Sequence, residues 1–407
     1  MILRAKYVVP MSQPPIEDGA VAIDGDTIIA VGPAKDVQTQ HSGEVRDLGE
    51  VALAPGLINA HCHLDYTDMV NQVEWRGCFI EWILQLVALK KLQTEKQYVA
   101  AIRNGVQQLL KSGATTVVNI ESFPSLIDEV GPTPLRIVWC LELMDHNRSD
   151  PPKDIAQQAL EFIAARPSVF GGFGLSPHAL YTTSAELYEL SGRYAQARAI
   201  PLTTHVAESQ EEDDMIRRGT GHMYDYFMRA GRDMSDCKRV GPVQLMSERG
   251  VLGSHCLAVH ANCLTPLDVK LLAQTGTHVV HCPRTHRFFG RGTPLLDPLW
   301  AAGVNICLGT DSLASNDTLD MFAEMQTLSM AFPRLAPEQI LAMATTCAAK
   351  ALNLPDKLGR IAPGAWADLI AVPLDDAVAD PLEAVVFNEK PVMFSMIAGN
   401  VVADGEG

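Results

Sequence analysis

The stretch "PGLINAHCHLDYTDM", residues 55 to 69, sets His61 and His63 two apart at the end of an apolar run that opens with a Pro-Gly turn. A β-strand alternates its side chains with period 2, so both imidazoles point to one face while Cys62 points to the other. Two imidazoles on one face can share a metal ion, although a lone HxH pair is equally a pair of satisfied core histidines. The rest of the chain decides between these. His178 closes "GLSPH", His205 and Glu208 close "THVAE", His260 closes "CLAVH", His281 closes "THVVH" and Asp311 closes "CLGTD". Structural histidines have no reason to gather at one end of consecutive apolar runs. Brought together, they offer three imidazoles and a carboxylate to one metal with a position left for water, the donor pattern of a catalytic site.

The elements that must position them are eight short β-rich runs, at 51–63, 114–120, 134–143, 170–177, 200–208, 254–260, 277–283 and 304–311. Helix-length amphipathic stretches lie between them, such as "EKQYVAAIRNGVQQLLKSG" at 95–113, with a terminating glycine. Eight such units predict an α/β chain with a (β/α)8 barrel, whose chemistry belongs at the C-terminal ends of its strands. The two ends of the chain read differently. "GAVAIDGDTIIAVGP" is a pair of alternating strands around an Asp-Gly turn, and "ADLIAVPL" and "VMFSMIAGNVVADG" are also strand-like. The expected organisation is a small β-sandwich built from residues 1–54 and 358–407, flanking a barrel at 55–357.

Composition limits the function. With 47% hydrophobic and 20% charged residues, the 407-residue chain is that of a globular protein with a sizeable core. A formal net charge of −16 and the absence of a Lys/Arg cluster argue against nucleic acid as partner. No run of twenty apolar residues suggests a membrane span, and "MILRAKYVVPMSQPP" lacks the features of a signal peptide, so a cytoplasmic location is the default expectation. Nine cysteines without a CxxC pair read as reduced thiols.

The segments "PGLINAHCHLD", "HVAES", "AVHANCLT", "VVHCP" and "LGTDSLASNDTLDMFAEM" resemble the motifs of the amidohydrolase superfamily. The branch is that of cytosine deaminase, methylthioadenosine/S-adenosylhomocysteine deaminases, aminodeoxyfutalosine deaminases and triazine hydrolases. The resemblance extends to "GRIAPGAWADLIAV" near the C-terminus. It implies that His61, His63, His205 and Asp311 bind one divalent metal, zinc first, with iron, cobalt or manganese as alternatives. It makes Glu208 the acid/base group, His260 the residue that orients the attacking water, Asp311 a proton acceptor, His281 the strand-seven histidine and His178 a substrate contact. Two-metal members carry a bridging lysine or glutamate at the fourth strand, which "GLSPHALYT" lacks, so one metal is expected.

Trp82, in "FIEWI", matches a segment that lies near the active site in this branch, whereas aromatic spacing alone would make it packing. "HCPRTHRFFG" departs from the "HNPSSNLKLASG" common in the deaminases, and its Arg284 and Arg287 are candidate substrate-binding residues for a carboxylate or an oxygen-rich ring. By strand parity His255 and His278 point away from the site. The implied activity is metal-dependent deamination of an exocyclic amine on a small N-heteroaromatic substrate, a purine nucleoside derivative. The alternatives are removal of chloride or an alkylamine from a triazine-like ring, and an inactive barrel kept as a binding subunit. Family analogy adds a homo-oligomer, a dimer or larger.

Overall fold

The run that reads as one strand over 51–63 is two strands, Val51–Pro55 and Leu57–Cys62, divided at Gly56. The first belongs to a terminal sheet and the second to the barrel. A Cβ on Gly56 would lie 2.1 Å from Thr115 Oγ1, so only glycine lets the chain pass the neighbouring strand at this crossing. A hydrophobic run cannot reveal such a division, because both halves are fully buried.

The computed structural model describes residues 1–146, 148–375 and 380–404. The N-terminal part of the terminal sheet is β1 (Ile2–Val8), β2 (Ile16–Asp24), β3 (Thr27–Pro33), β4 (Val45–Asp47) and β5 (Val51–Pro55). The barrel follows as β6 (Leu57–Cys62), β7 (Ala114–Glu121), β8 (Arg136–Leu143), β9 (Phe173–Pro177), β10 (Leu202–Val206), β11 (Cys256–His260), β12 (His278–His281) and β13 (Ile306–Leu308). The chain returns to the terminal sheet as β14 (Leu369–Pro373), β15 (Phe394–Ile397) and β16 (Asn400–Asp404).

The terminal sheet is mixed, in the order β16-β15-β14-β5-β1-β2-β3 with β4 on β1, so residues from both ends of the chain pair through β14 and β5. Leu3, Val21, Leu53, Leu369, Phe394 and Met396 give it a core of its own. The Asp-Gly turn of β2 and β3 lies where the pattern placed it, with Gly25 left-handed at φ +56°.

The eight barrel strands pair in sequence order, every pairing parallel. Helices fill the connections. Glu95–Lys111 is representative: Thr94 and Gln97 form a capping box, and Ile102, Val106 and Leu109 turn inward. The seam between β13 and β6 is joined just beyond the strand ends by an Asp311 N–H donating to His61 O at 3.0 Å. Asn59 holds this seam with its side chain, donating to Thr310 Oγ1 at 2.7 Å and accepting from Thr310 N at 3.1 Å. Gly309 is required here, since a Cβ would sit within 2.9 Å of the His61 backbone. The seam therefore brings His61 and Asp311, 250 residues apart in the chain, into register. All nine cysteines are free, and among the described residues no helix is long and apolar enough to cross a membrane.

Candidate active site

His61 lies in β6, and His63 directly follows it as the chain turns into the short helix Leu64–Met69. Their rings are 4.9 Å apart, as shared parity requires. The His205 and His260 rings lie 4.9 and 5.8 Å from that of His61. Ligand atoms of His61, His205, His260 and Asp311 all fall within 4.8 Å of one another. His63 borders the same group, with Nε2 3.4 Å from His205 Nε2 and 3.7 Å from Asp311 Oδ1. Five side chains therefore converge where the resemblance implied four ligands and an orienting histidine.

The backbone is bent to aim them. Ala207, His260, Ala261 and Asp311 all take positive φ, at 49°, 71°, 47° and 58°. Left-handed conformations cost L-residues about 1 kcal/mol or more each, and they collect where function over-determines geometry. Second contacts fix the rings. His205 Nδ1 donates to His178 O at 3.1 Å, leaving Nε2 for the centre, and His178 Nδ1 meets Thr182 Oγ1 at 2.7 Å.

The donor set fits a divalent cation. Bonds of about 2.1 Å in a tetrahedral shell put donor atoms about 3.4 Å apart, and His61 Nε2 to Asp311 Oδ1 is 3.4 Å. Both ring nitrogens of His61 and Nδ1 of His63 are buried without a hydrogen bond among the described residues, a costly arrangement unless a ligand fills it. Burial lowers the pKa of His63, His205 and His260, which keeps the rings in the neutral, ligating form.

Glu208 follows β10 and faces the group, with Oε1 3.8 Å from His260 Nε2. Burial raises its carboxyl above the ordinary value, against the pull of Arg291 and His205. Its backbone N–H donates to Glu212 Oε2 at 2.8 Å. The group opens on a cavity of about 140 Å³ walled by Phe79, Trp82, Tyr181 and Met144. His178 lines this cavity, and so does Trp82, whose ring stacks on Phe79 and whose Nε1 is buried without a partner.

Other assignments change. Arg284 does not line the cavity; it pairs with Asp317 and donates through Nε to Asn316 Oδ1 at 3.0 Å. Arg287 is exposed on the helix Pro283–Phe288, also away from the cavity. Charge type alone did not reveal which way that short helix turns each side chain. The arginine that reaches the site is Arg291, whose Nη2 donates to Glu208 Oε1 at 3.3 Å. His281 closes β12 but packs its ring 5.4 Å from that of His286, outside the convergent group. His278 points away, contacting Ser254 O and Asn305 as parity predicted.

Tyr66, Lys90 and Glu142 also line the cavity, and the histidine pattern does not point to them. Lys90 Nζ donates to Tyr66 OH and to Ser122 Oγ, and Ser122 Oγ donates to Glu142 Oε2 at 2.7 Å. A carboxylate closing a buried apolar run was the available signal for Glu142.

Residues 52–402 match the amidohydrolase family. The chain is 29% identical to a 5-methylthioadenosine/S-adenosylhomocysteine deaminase of Syntrophobacter fumaroxidans, over 95% of this chain and 89% of that one. It is 30% identical to an aminodeoxyfutalosine deaminase of Deinococcus radiodurans, over 79% of this chain and 78% of the relative. Among solved structures, an adenosine deaminase from Xanthomonas campestris with bound zinc superposes with a TM-score of 0.86 at 24% identity, covering 99% of this chain and 92% of that one. The protein belongs to the amidohydrolase family, and its eight-stranded barrel with a separate mixed sheet is the fold of that structural neighbour.

Proposed function

We propose that this protein is a hydrolytic deaminase that exchanges an exocyclic amine of an N-heteroaromatic ring for oxygen and releases ammonia, with a purine nucleoside derivative as substrate. The observation that carries the reading is the buried Glu208 carboxyl, set 3.8 Å from His260 beside the histidine and aspartate group. Its names for relatives agree: similar chains are methylthioadenosine/S-adenosylhomocysteine and aminodeoxyfutalosine deaminases.

In this reading His61, His63, His205 and Asp311 hold one divalent cation, zinc by preference. When bound, the cation supplies Lewis acidity, which brings the pKa of water towards neutrality. His260 orients the attacking water through Nε2, and Asp311 takes its proton. Glu208 delivers its proton to the ring nitrogen beside the attacked carbon, takes up the hydroxyl proton of the tetrahedral adduct and passes it to the departing nitrogen, because a bare amide ion is too basic to leave; the proton held by Asp311 then restores Glu208. Burial raises its carboxyl above the ordinary value, the direction that favours a proton donor. Trp82 and Phe79 offer flat apolar walls to the ring, and His178 offers an imidazole edge. A cavity of about 140 Å³ is small beside the roughly 300–1,000 Å³ of most ligand pockets, which suits one planar ring system with its substituent directed outward. Loss of chloride needs no proton donor, so Glu208 favours amine loss over the chlorohydrolase alternative. A homo-oligomer in the cytoplasm completes the proposal.

The test is ammonia release by metal-reconstituted protein. The panel is adenosine, methylthioadenosine, S-adenosylhomocysteine, aminodeoxyfutalosine, cytosine, guanine and aminotriazines, with a chelated control. Metal-dependent ammonia from a purine nucleoside is expected; silence across the panel overturns the reading.

A further inference from the structure

We infer that Arg291 is a positioning residue for Glu208, delivered to it by a closed circuit of contacts through Asn262 and His286. The inference rests on the reading of Glu208 as the proton carrier. Glu208 stands on the barrel, whereas Arg291 comes from the loop that follows the helix Pro283–Phe288. Its guanidinium lies 4.6 Å from the centre of the Phe289 ring and 5.6 Å from that of Phe79, which fixes its plane before it reaches the carboxylate. Nη2 then holds Glu208 Oε1 at 3.3 Å. The same Oε1 lies 3.8 Å from His260 Nε2, so the arginine holds the edge of the carboxylate that meets the convergent group, and Oε2 accepts no hydrogen bond among the described residues.

The loop is itself tied back to Glu208. Asn262 Nδ2 donates to Glu208 O at 3.0 Å, and that donation fixes the amide so that its Oδ1 faces His286 Nδ1 at 3.1 Å. His286 Nε2 lies 2.6 Å from Gly292 O, and Gly292 adjoins Arg291; both partners of the ring are acceptors, so both contacts are hydrogen bonds when His286 carries a proton on each nitrogen. Gly290 takes the left-handed conformation, φ +60°, that reverses the chain between Phe289 and Arg291. The circuit leaves the Glu208 backbone and returns to its side chain. A carboxylate free to rotate would present either oxygen at varying reach, and a misplacement of about 1 Å can cost about 100-fold in rate. One oxygen pinned by an arginine leaves the other in a single position.

The experiment is a double-mutant cycle on the metal-loaded full-length protein, with Arg291→Ala, His286→Leu and the double variant. It is assayed on whichever panel substrate the wild type turns over best. Arg291→Ala should lower kcat about 10- to 100-fold with KM within about threefold, and added guanidinium ion at millimolar concentration should restore part of it. His286→Leu should lose less, and the double variant should be no slower than Arg291→Ala, because His286 acts through Arg291. An unchanged kcat, a loss confined to KM, or losses that multiply would each overturn the circuit. A crystal structure of Arg291→Ala reads the same point without turnover. Displaced Glu208 supports the inference and an unmoved carboxylate overturns it, even if the wild type deaminates nothing and the proposed reaction fails.

Discussion

The two ends of the barrel both bury charge, and they treat it in opposite ways. At the N-terminal end, Arg136 at the start of β8 meets Asp368 with side chains 7% and 3% exposed. Nη2 donates to both carboxylate oxygens at 3.1 and 3.2 Å, Nε adds a third contact at 3.3 Å, and Ala398 N donates to Oδ1 at 2.7 Å. The guanidinium lies over Trp366 at 4.3 Å and Phe170 at 4.5 Å. Both carboxylate oxygens are paired within the protein, and the pair joins the barrel to the terminal sheet. At the C-terminal end, both ring nitrogens of His61 and both carboxylate oxygens of Asp65 are buried without a hydrogen bond among the described residues. The satisfied pair is architecture; the free ring nitrogens of His61, beside His260 and Asp311 on a backbone bent to positive φ, are donors placed for a metal ion.

Removing the ligand is the strongest test of that contrast. Stripping the metal with a chelator should reduce ammonia release to background and lower Tm, because a ligand that binds only the folded state stabilises it by mass action. His61→Ala should do the same without chelator, with metal content by emission spectroscopy falling from one equivalent towards none. Metal retained at full stoichiometry would break the comparison. Glu208→Gln comes next. Turnover should fall about 10²- to 10⁴-fold, the usual range for a general acid/base, with metal content and Tm unchanged. Untouched turnover would remove Glu208 from the mechanism.

These groups were legible because strand parity and strand ends are sequence properties. His61 and His63 share a face by period 2, and an apolar run ending in His, Glu or Asp marks the C-terminal rim of a barrel. The same rule, applied without preference for histidine, also marks Glu142 near the end of β8. Gly56 reads as part of one long strand because apolar residues flank it on both sides, and the Thr115 contact explains the break. Arg284, Arg287 and Arg291 are indistinguishable by type. Which one reaches Glu208 depends on a six-residue helix and the reversal at Gly290, and neither leaves a periodic signal.

The other half of the comparison is tested by breaking the satisfied pair. Arg136→Met leaves Asp368 buried without its partner, and removing one member of such a pair typically costs about 3–5 kcal/mol. The barrel end it touches is far from Glu208, so kcat measured below the new Tm should stay within about twofold of wild type. A large loss of kcat with little change in stability would mean that the two ends are coupled. The double variant Arg136→Met/Asp368→Leu should recover part of the stability, since a buried ion pair is often no better than a well-packed apolar one.

The smallest expected effect sharpens the contrast beside the site itself. Glu212 is fully buried, and burial pushes its carboxyl up to about 8, against the hydrogen bond it accepts from Glu208 N. Its Oε1 has no partner among the described residues. Because the folded state binds this proton more tightly than an unfolded chain does, the folded protein gains protons relative to the unfolded one between about pH 4.5 and 8. Its contribution to stability is therefore complete below about pH 4.5 and is lost as pH rises through about 8. One proton changes the free energy by at most about 1.4 kcal/mol per pH unit. Between pH 6 and pH 7 the stability of Glu212→Gln, which keeps the acceptor for Glu208 N, should decline less steeply than that of wild type, the difference between the two slopes lying within that bound. An identical slope in the variant would mean that Glu212 is already ionised at pH 6, with its charge satisfied as fully as that of Asp368 at the opposite end.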